Sequence, residues 1–236
     1  MKNIILFLLL FVSINALADS VDGSVSITND YRFRGISQSY LEPSMSTQLE
    51  YTTNLGLWAG HKFDTVSKQE YNNGIGVESD YYAGFTHRFD NGIRIYVGDY
   101  EYTYPKSKIE HISYNTNELF SQIRISGFTI KYYRSLTDYF GTPVSVGTQY
   151  YSLDNYSPLG TATLVSHIGH TNVANYSNLS YTDWHTGPVI NFKGIDFALT
   201  YYWNTHMTST FKIINTLSGN EIYNNTLVLS ISKGFQ

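Results

Sequence analysis

The sequence predicts an all-β protein: a single antiparallel transmembrane β-barrel of about twelve strands behind a cleaved N-terminal leader. Three observations carry that prediction. Charged residues make up only 14% of the chain against a usual ~25%, while aromatics reach 16% and include 22 tyrosines. Apolar residues recur with a period of two, and past the leader no apolar run approaches the ~20 residues of a membrane helix. Tight turns alternate with longer polar connections. Such a chain enters lipid only as a closed barrel, because every backbone N–H and C=O must then find its partner between strands. A soluble all-β domain with a large core is the other fold this composition allows.

The leader reads from Lys2, the apolar run 4–12 and the small-residue stretch Ala16-Leu17-Ala18, with cleavage before Asp19. Its apolar run is about half of the ~20 residues a spanning helix needs. Residues 1–18 are therefore expected to direct export, and 19–236 to form the outer-membrane barrel. Lys2 is the leader's one charge, so the mature chain is one unit more negative than the formal −4. No basic block suggests nucleic acid as a partner. The absence of cysteine excludes a disulfide framework and a thiolate metal site, and suits a protein that crosses the periplasm unfolded.

A first strand ending near Arg34-Gly35 is expected, where Val25, Ile27, Tyr31 and Phe33 alternate with Ser24, Ser26, Thr28, Asp30 and Arg32, followed by a loop over 35–43. Met45, Leu49 and Tyr51 mark a second strand, and Leu57, Ala59 and Phe63 a third after a turn near Asn54. A polar loop over 65–73 leads to Ile75, Val77, Tyr81 and Phe85. The turn Asp90-Asn91-Gly92 then reverses the chain into Ile93, Ile95 and Val97. Beyond a polar connection over 103–115, strands are expected at 116–126 and 128–136 around Gly127. A strand at 144–153 follows, then a connection over 154–160 that carries Pro158, and a strand at 162–170. The clearest unit is the hairpin turning at Lys193-Gly194. Thr182, Trp184, Thr186, Pro188, Ile190 and Phe192, with Ile195, Phe197, Leu199, Tyr201 and Trp203, form its greasy side; Tyr181, Asp183, His185, Asn191, Asp196 and Thr200 form its wet side. Its aromatics cluster at the strand ends, as girdles at two membrane interfaces require. A long loop over 206–222 precedes the last strand, whose apolar parity is Leu227, Leu229, Ile231 and Phe235.

With these strands placed, SITNDYRFRGISQS at 26–39 resembles the opening signature of the TorF family of Gram-negative outer-membrane porins. GLWAG at 56–60, VESDYYAGFTHRF at 77–89 and SYTDWHTG at 180–187 resemble the same family, so the likeness samples most of the mature chain. The combination of Asp30, Tyr31, Arg32, Arg34, Gly35 and Gln38 is its most specific part. The resemblance implies an outer-membrane porin passing small hydrophilic solutes, with lipid and the barrel insertion machinery as its other partners. Outer-membrane barrels commonly end on an aromatic residue read by that machinery; here Gln236 follows Phe235, so the signal would be read one place in.

The polar parity carries the candidate lumen and mouth residues: Asp30, Arg32, Arg34, Glu50, Glu78, Asp80, Arg94, Glu118, Arg124, Asp183 and Asp196. Acids slightly outnumber bases there once Lys62 and Lys131 are included, so a slight cation preference is expected. Glu78 and Asp80 share a face two residues apart. The spacing suits a carboxylate pair or a cation site, but a mixed-sign lining accounts for it, and no metal or cofactor is expected. His167 and His170 have neither an HExxH context nor a nearby carboxylate partner. Ser180 with His185 is a weak lipase pair without a GxSxG motif, and no enzymatic activity is expected. Asp30, Arg32 and Arg34 form either a charged constriction at the extracellular mouth or a self-neutralising pair beside a turn at Gly35. Tyrosines at strand ends are read as girdle anchors. A barrel with a plugged lumen and a structural or adhesive role is the alternative to a pore.

Overall fold

The structure, a computed structural model, describes residues 20–71 and 74–236; the leader, its cleavage site, and Asn72 and Asn73 of the loop expected over 65–73 lie outside them. Twelve antiparallel strands close into one barrel. In chain order they are β1 (Ser20–Thr28), β2 (Ser44–Thr52), β3 (Leu57–Thr65), β4 (Val77–Arg88), β5 (Arg94–Thr103), β6 (Thr116–Ile125), β7 (Phe128–Ser135), β8 (Gln149–Leu159), β9 (Ala162–Asn172), β10 (Tyr181–Phe192), β11 (Ile195–Thr205) and β12 (Thr226–Phe235). Each strand pairs with its neighbours in sequence. Closure comes from β1 against β12, with Gly23 opposite Phe235 and Thr28 opposite Ser230. Among the described residues no helix is long and apolar enough to cross a membrane.

Burial is inverted relative to a water-soluble protein. Ile27, Leu49, Leu119, Ile130, Leu199 and Leu229 face outward and exposed, whereas Glu78, Glu118 and Asp64 face inward at 0% exposure. Such a wall requires an apolar surround. Outward polar groups near the long-loop ends of their strands pair locally: His61 Nε2 lies 2.8 Å from Ser79 Oγ, Asn117 Nδ2 donates to Asp99 Oδ1 at 2.7 Å, and Trp184 Nε1 donates to Thr205 Oγ1 at 3.0 Å.

Two element boundaries depart from the periodicity. The first barrel strand stops at Thr28 rather than running on to near Arg34-Gly35; Arg32–Phe33 instead pair with Ile36–Ser37 in a small hairpin folded into the lumen. Asp30 and Arg32 therefore belong to this inserted loop and not to the wall. The alternation persisted through Phe33 because the inserted hairpin is itself extended. The eighth strand begins at Gln149 and continues through Pro158, where a connection was expected. Pro158 is tolerated because β7 begins only at Phe128, opposite Asn155, leaving the stretch beyond paired only with β9.

The alternation makes a directional prediction. Leu199→Arg places a charge on the outer wall and should cost roughly 2 to 4 kcal/mol of stability in bilayer, whereas Thr200→Arg, on the inner parity, should be tolerated. Folding titrations in lipid vesicles check this; equal sensitivity would contradict the assigned faces.

Candidate functional site

The long-loop half of the lumen is filled by the loop 29–43. Gly35 adopts φ +77°, and a Cβ there would collide with Asn204 Oδ1 and approach Asp183 Cβ to 2.7 Å, so only glycine lets the hairpin seat this deeply. Asn204 Nδ2 and Arg32 Nη1 each donate to Gly35 O at 3.0 Å, and Tyr181 Oη donates to Arg34 O at 2.9 Å. Arg32 Nε donates to Asp30 Oδ2 at 2.7 Å while Ser37 Oγ donates to Asp30 Oδ1 at 2.6 Å. Asp30 and Arg32 thus neutralise each other and stiffen the loop.

Arg34, at the tip, crosses the lumen. Its guanidinium makes a bidentate pair with Glu118 of β6, Nη2 to Oε2 at 2.6 Å and Nη1 to Oε1 at 3.1 Å, and donates to Tyr139 Oη at 3.1 Å. It also lies over the rings of Tyr150, at 4.2 Å, and Phe33, at 4.8 Å. Both ends of the pair are buried. Removing one partner of such a pair typically costs about 3–5 kcal/mol, because the other charge is left unmatched. This latch holds the plug.

Two more charge clusters line the plugged half. Asp64, Glu78 and Asp80 converge on the β3–β4 side beside Lys62, whose Nζ lies 2.8 Å from Asp64 Oδ2. On the β8–β10 side, His167 bridges Asp154 (Nδ1 to Oδ1, 2.5 Å) and Asp183 (Nε2 to Oδ1, 3.1 Å), and its ring stacks on His185 at 4.4 Å. This corrects the reading of His167 as lacking a carboxylate partner. The partners arrive through register, Asp154 standing directly opposite on β8 and Asp183 on the next strand. Ser180 and His185 do not meet: Ser180 Oγ accepts from Val173 N at 3.0 Å in the β9–β10 connection, and His185 faces the lumen.

Many tyrosines away from the strand ends point inward. Tyr82 and Tyr100 stack at 4.8 Å, Phe120 and Tyr133 at 5.5 Å, and Tyr133 continues to Tyr150 at 6.2 Å, so an aromatic strip leads to the Arg34 latch. Trp58 packs against Tyr82 and reaches the paired Gly84 and Gly98. Tyr81, Tyr132, Tyr151 and Tyr201 do face outward, as anchors should.

Below the latch, toward the short turns, a cavity of about 670 Å³ remains. Glu50, Arg94 and Arg124 line it with Asp22, Arg88, Gln122, Trp58 and Tyr82. Asp196 stands at the short-turn rim, accepting from Asn191 Nδ2 at 2.7 Å. Asp30, Arg32, Arg34, Glu78, Asp80, Glu118 and Asp183 all belong to the plugged half, and each is buried. Above the plug, a second cavity of about 360 Å³ is walled by Phe33, Ile36, Tyr139, Phe140 and Phe211. Phe211 is brought there by α1 (Ser209–Ile214), capped by Thr208, whose hydroxyl accepts from Phe211 N at 3.1 Å.

Residues 16–235 match the sequence profile of a family described as bacterial proteins of unknown function, Gcw_chp. The chain belongs to that family. No curated protein matches it by sequence. Among solved structures, the KdgM porin in complex with disordered oligogalacturonate aligns over 93% of this chain and 100% of its own, with a TM-score of 0.53 and 7% identity. A second structure of the KdgM porin gives 0.51 over the same shares, also at 7% identity. At that identity the likeness is one of fold alone: a closed antiparallel β-barrel of the kind the KdgM porin has.

Glu70, in the loop 66–76, borders the upper cavity with Oε2 unpartnered. Burial pushes its carboxyl well above the usual range, with Asp30 and Glu78 adding to the shift. Burial favours the neutral acid in the folded state, so stability is fully present below its ordinary value and falls as pH rises through the raised one. Glu70→Gln should therefore melt increasingly above the wild type as pH rises from about 4.5, read by thermal unfolding in detergent. A gap independent of pH would contradict the assignment.

Proposed function

We propose that this protein is a non-enzymatic outer-membrane channel for small hydrophilic solutes, held narrow by its own inserted loop. The observation that carries the reading is the closed barrel with an apolar outer wall and a polar cavity beneath the Arg34–Glu118 latch. Short turns belong on the periplasmic side of such barrels, which makes the cavity a periplasmic vestibule and the plug an extracellular one. The leader over residues 1–18, cleavage before Asp19 and delivery through the barrel insertion machinery belong to the same proposal. The TorF-like segments and the fold shared with a porin that holds oligogalacturonate point the same way. Twelve strands enclose more room than side chains alone fill, yet less than a ~16-stranded porin.

The vestibule alters the expected selectivity. Arg88, Arg94 and Arg124 face Asp22 and Glu50 there, whereas Glu78, Asp80, Glu118 and Asp183, which tipped the count toward acid, are buried in the plug. The open part is slightly basic, so a slight anion preference follows in place of the cation preference. The depth of the latch favours a second reading, a structural barrel with a closed lumen.

Planar-bilayer recordings separate the two. The channel reading expects a small wild-type conductance that rises several-fold in Arg34→Ala or Glu118→Gln, with reversal potentials under a salt gradient weakly favouring anions and fading as salt rises. Silence from wild type and both variants would establish the structural barrel. Clear cation selectivity would show that ions do not pass through this vestibule.

A further inference from the structure

Glu70 aside, whose burial in the loop 66–76 favours its neutral form, the buried charges of the plugged half balance one another except in one place. Asp30 is matched by Arg32, Glu118 by Arg34, and Asp154 and Asp183 by Lys131 and the bridging His167. Asp64, Glu78 and Asp80 together have only Lys62: among the described residues it alone forms a salt bridge to the trio, and to Asp64 only. One carboxylate oxygen from each of the three lies within 4.8 Å of the others. All three residues are at 2% exposure or less, so water does not offset the surplus.

A second observation is independent of that count. Glu78 Oε2 and Asp80 Oδ1 are buried without any hydrogen bond, while the opposite oxygen of Glu78 is taken, accepting from Tyr104 Oη at 2.6 Å. Buried acceptors left open in this way call for a positive partner. The surplus after Lys62 amounts to two charges if all three acids are ionised. Three carboxylates supply an all-oxygen ligand set, which suits a hard divalent ion and not a softer metal that prefers nitrogen or sulfur.

We propose that Asp64, Glu78 and Asp80 form a divalent-cation site of the calcium class in the wall of the lumen. Its position gives it a mechanical role. Glu78 holds Tyr104, Tyr104 stacks on Tyr71 at 4.2 Å, and Tyr71 Oη donates to Gln38 of the inserted loop. Lys62, the neighbour of the trio, donates to Tyr31 of the same loop at 3.2 Å. An ion bound here neutralises the wall and fastens three extracellular loops to it. The site stands whether or not the barrel conducts.

The test uses the refolded full chain in detergent micelles, with Tb³⁺ and Ca²⁺ as probes. Excitation of tyrosine, with Tyr104 already bonded to Glu78, should give Tb³⁺ emission that saturates at one ion per chain and is displaced by Ca²⁺. The thermal midpoint should be several degrees higher in Ca²⁺ than in EDTA. Asp80→Asn and the double variant Glu78→Gln with Asp80→Asn should lose both responses, while Glu110→Gln, at an exposed loop acid, keeps them. If the double variant fails to fold, Asp80→Asn and the wild-type chelation series decide. Absence of saturable emission with an unchanged midpoint in the wild type would overturn the site in favour of carboxyls sharing protons. Retention of both responses in Asp80→Asn would place the ion elsewhere.

Discussion

Closure of the sheet between β1 and β12 is the constraint from which the rest follows. In a hydrocarbon surround an unpaired strand edge leaves a row of N–H and C=O groups without partners, at several kcal/mol for each group. Closing on twelve strands removes both edges but fixes the circumference, and with it an interior wider than wall side chains alone can fill. Something must occupy that space, whether water or chain. The structure divides it: the short-turn half keeps a polar cavity, and the long-loop half receives the segment 29–43.

Inserting a loop into a barrel creates its own difficulty, since every polar group carried in must be met. The segment brings Asp30, Arg32, Arg34 and Gln38, and each finds a partner: Arg32 for Asp30, Glu118 and Tyr139 for Arg34, Tyr71 for Gln38. Most of these partners come from far along the chain. The plug is therefore a tertiary object, and its specificity rests on directional charge-assisted bonds and not on apolar packing. Glycine at position 35 is the backbone counterpart of that specificity, because the approach to Asn204 and Asp183 leaves no room for a side chain.

This explains which parts were legible in the sequence. The strand faces were, because lipid and lumen impose a period of two that survives in any single strand; Leu199 and Thr200, or Glu118 and Leu119, sort correctly by parity alone. Contacts across the lumen were not. Arg34 and Glu118 are 84 residues apart, and nothing local marks them as a pair. His167 looked isolated because its carboxylates sit on adjacent strands, and register, unlike period, cannot be read from one strand at a time. The inserted hairpin deceived for a related reason: Tyr31 and Phe33 keep the alternation of β1, but the apolar surface they meet belongs to the plug. Phe33 packs on Tyr102 at 5.4 Å and Phe140 at 5.5 Å, inside the barrel. The inward tyrosines were not legible either, since an amphipathic ring serves a membrane interface and a polar lumen equally well.

Electroneutrality gives a further way to sort the interior. A buried pair such as Arg34 with Glu118 is expensive to assemble and no stronger for stability than a well-packed apolar contact, so its retention in a plug points to position and register. A buried imbalance is a different matter, because it raises the energy of the folded chain until something cancels it. On the β8–β10 side the cancellation is internal, supplied by Lys131 and the imidazole of His167. On the β3–β4 side Lys62 falls short of Asp64, Glu78 and Asp80. The two sides of one lumen thus face the same electrostatic requirement and differ in whether the chain meets it alone. That difference links the wall to the solution outside: a plug whose charges are all matched internally responds to its own sequence, and one that depends on a bound ion responds also to the medium.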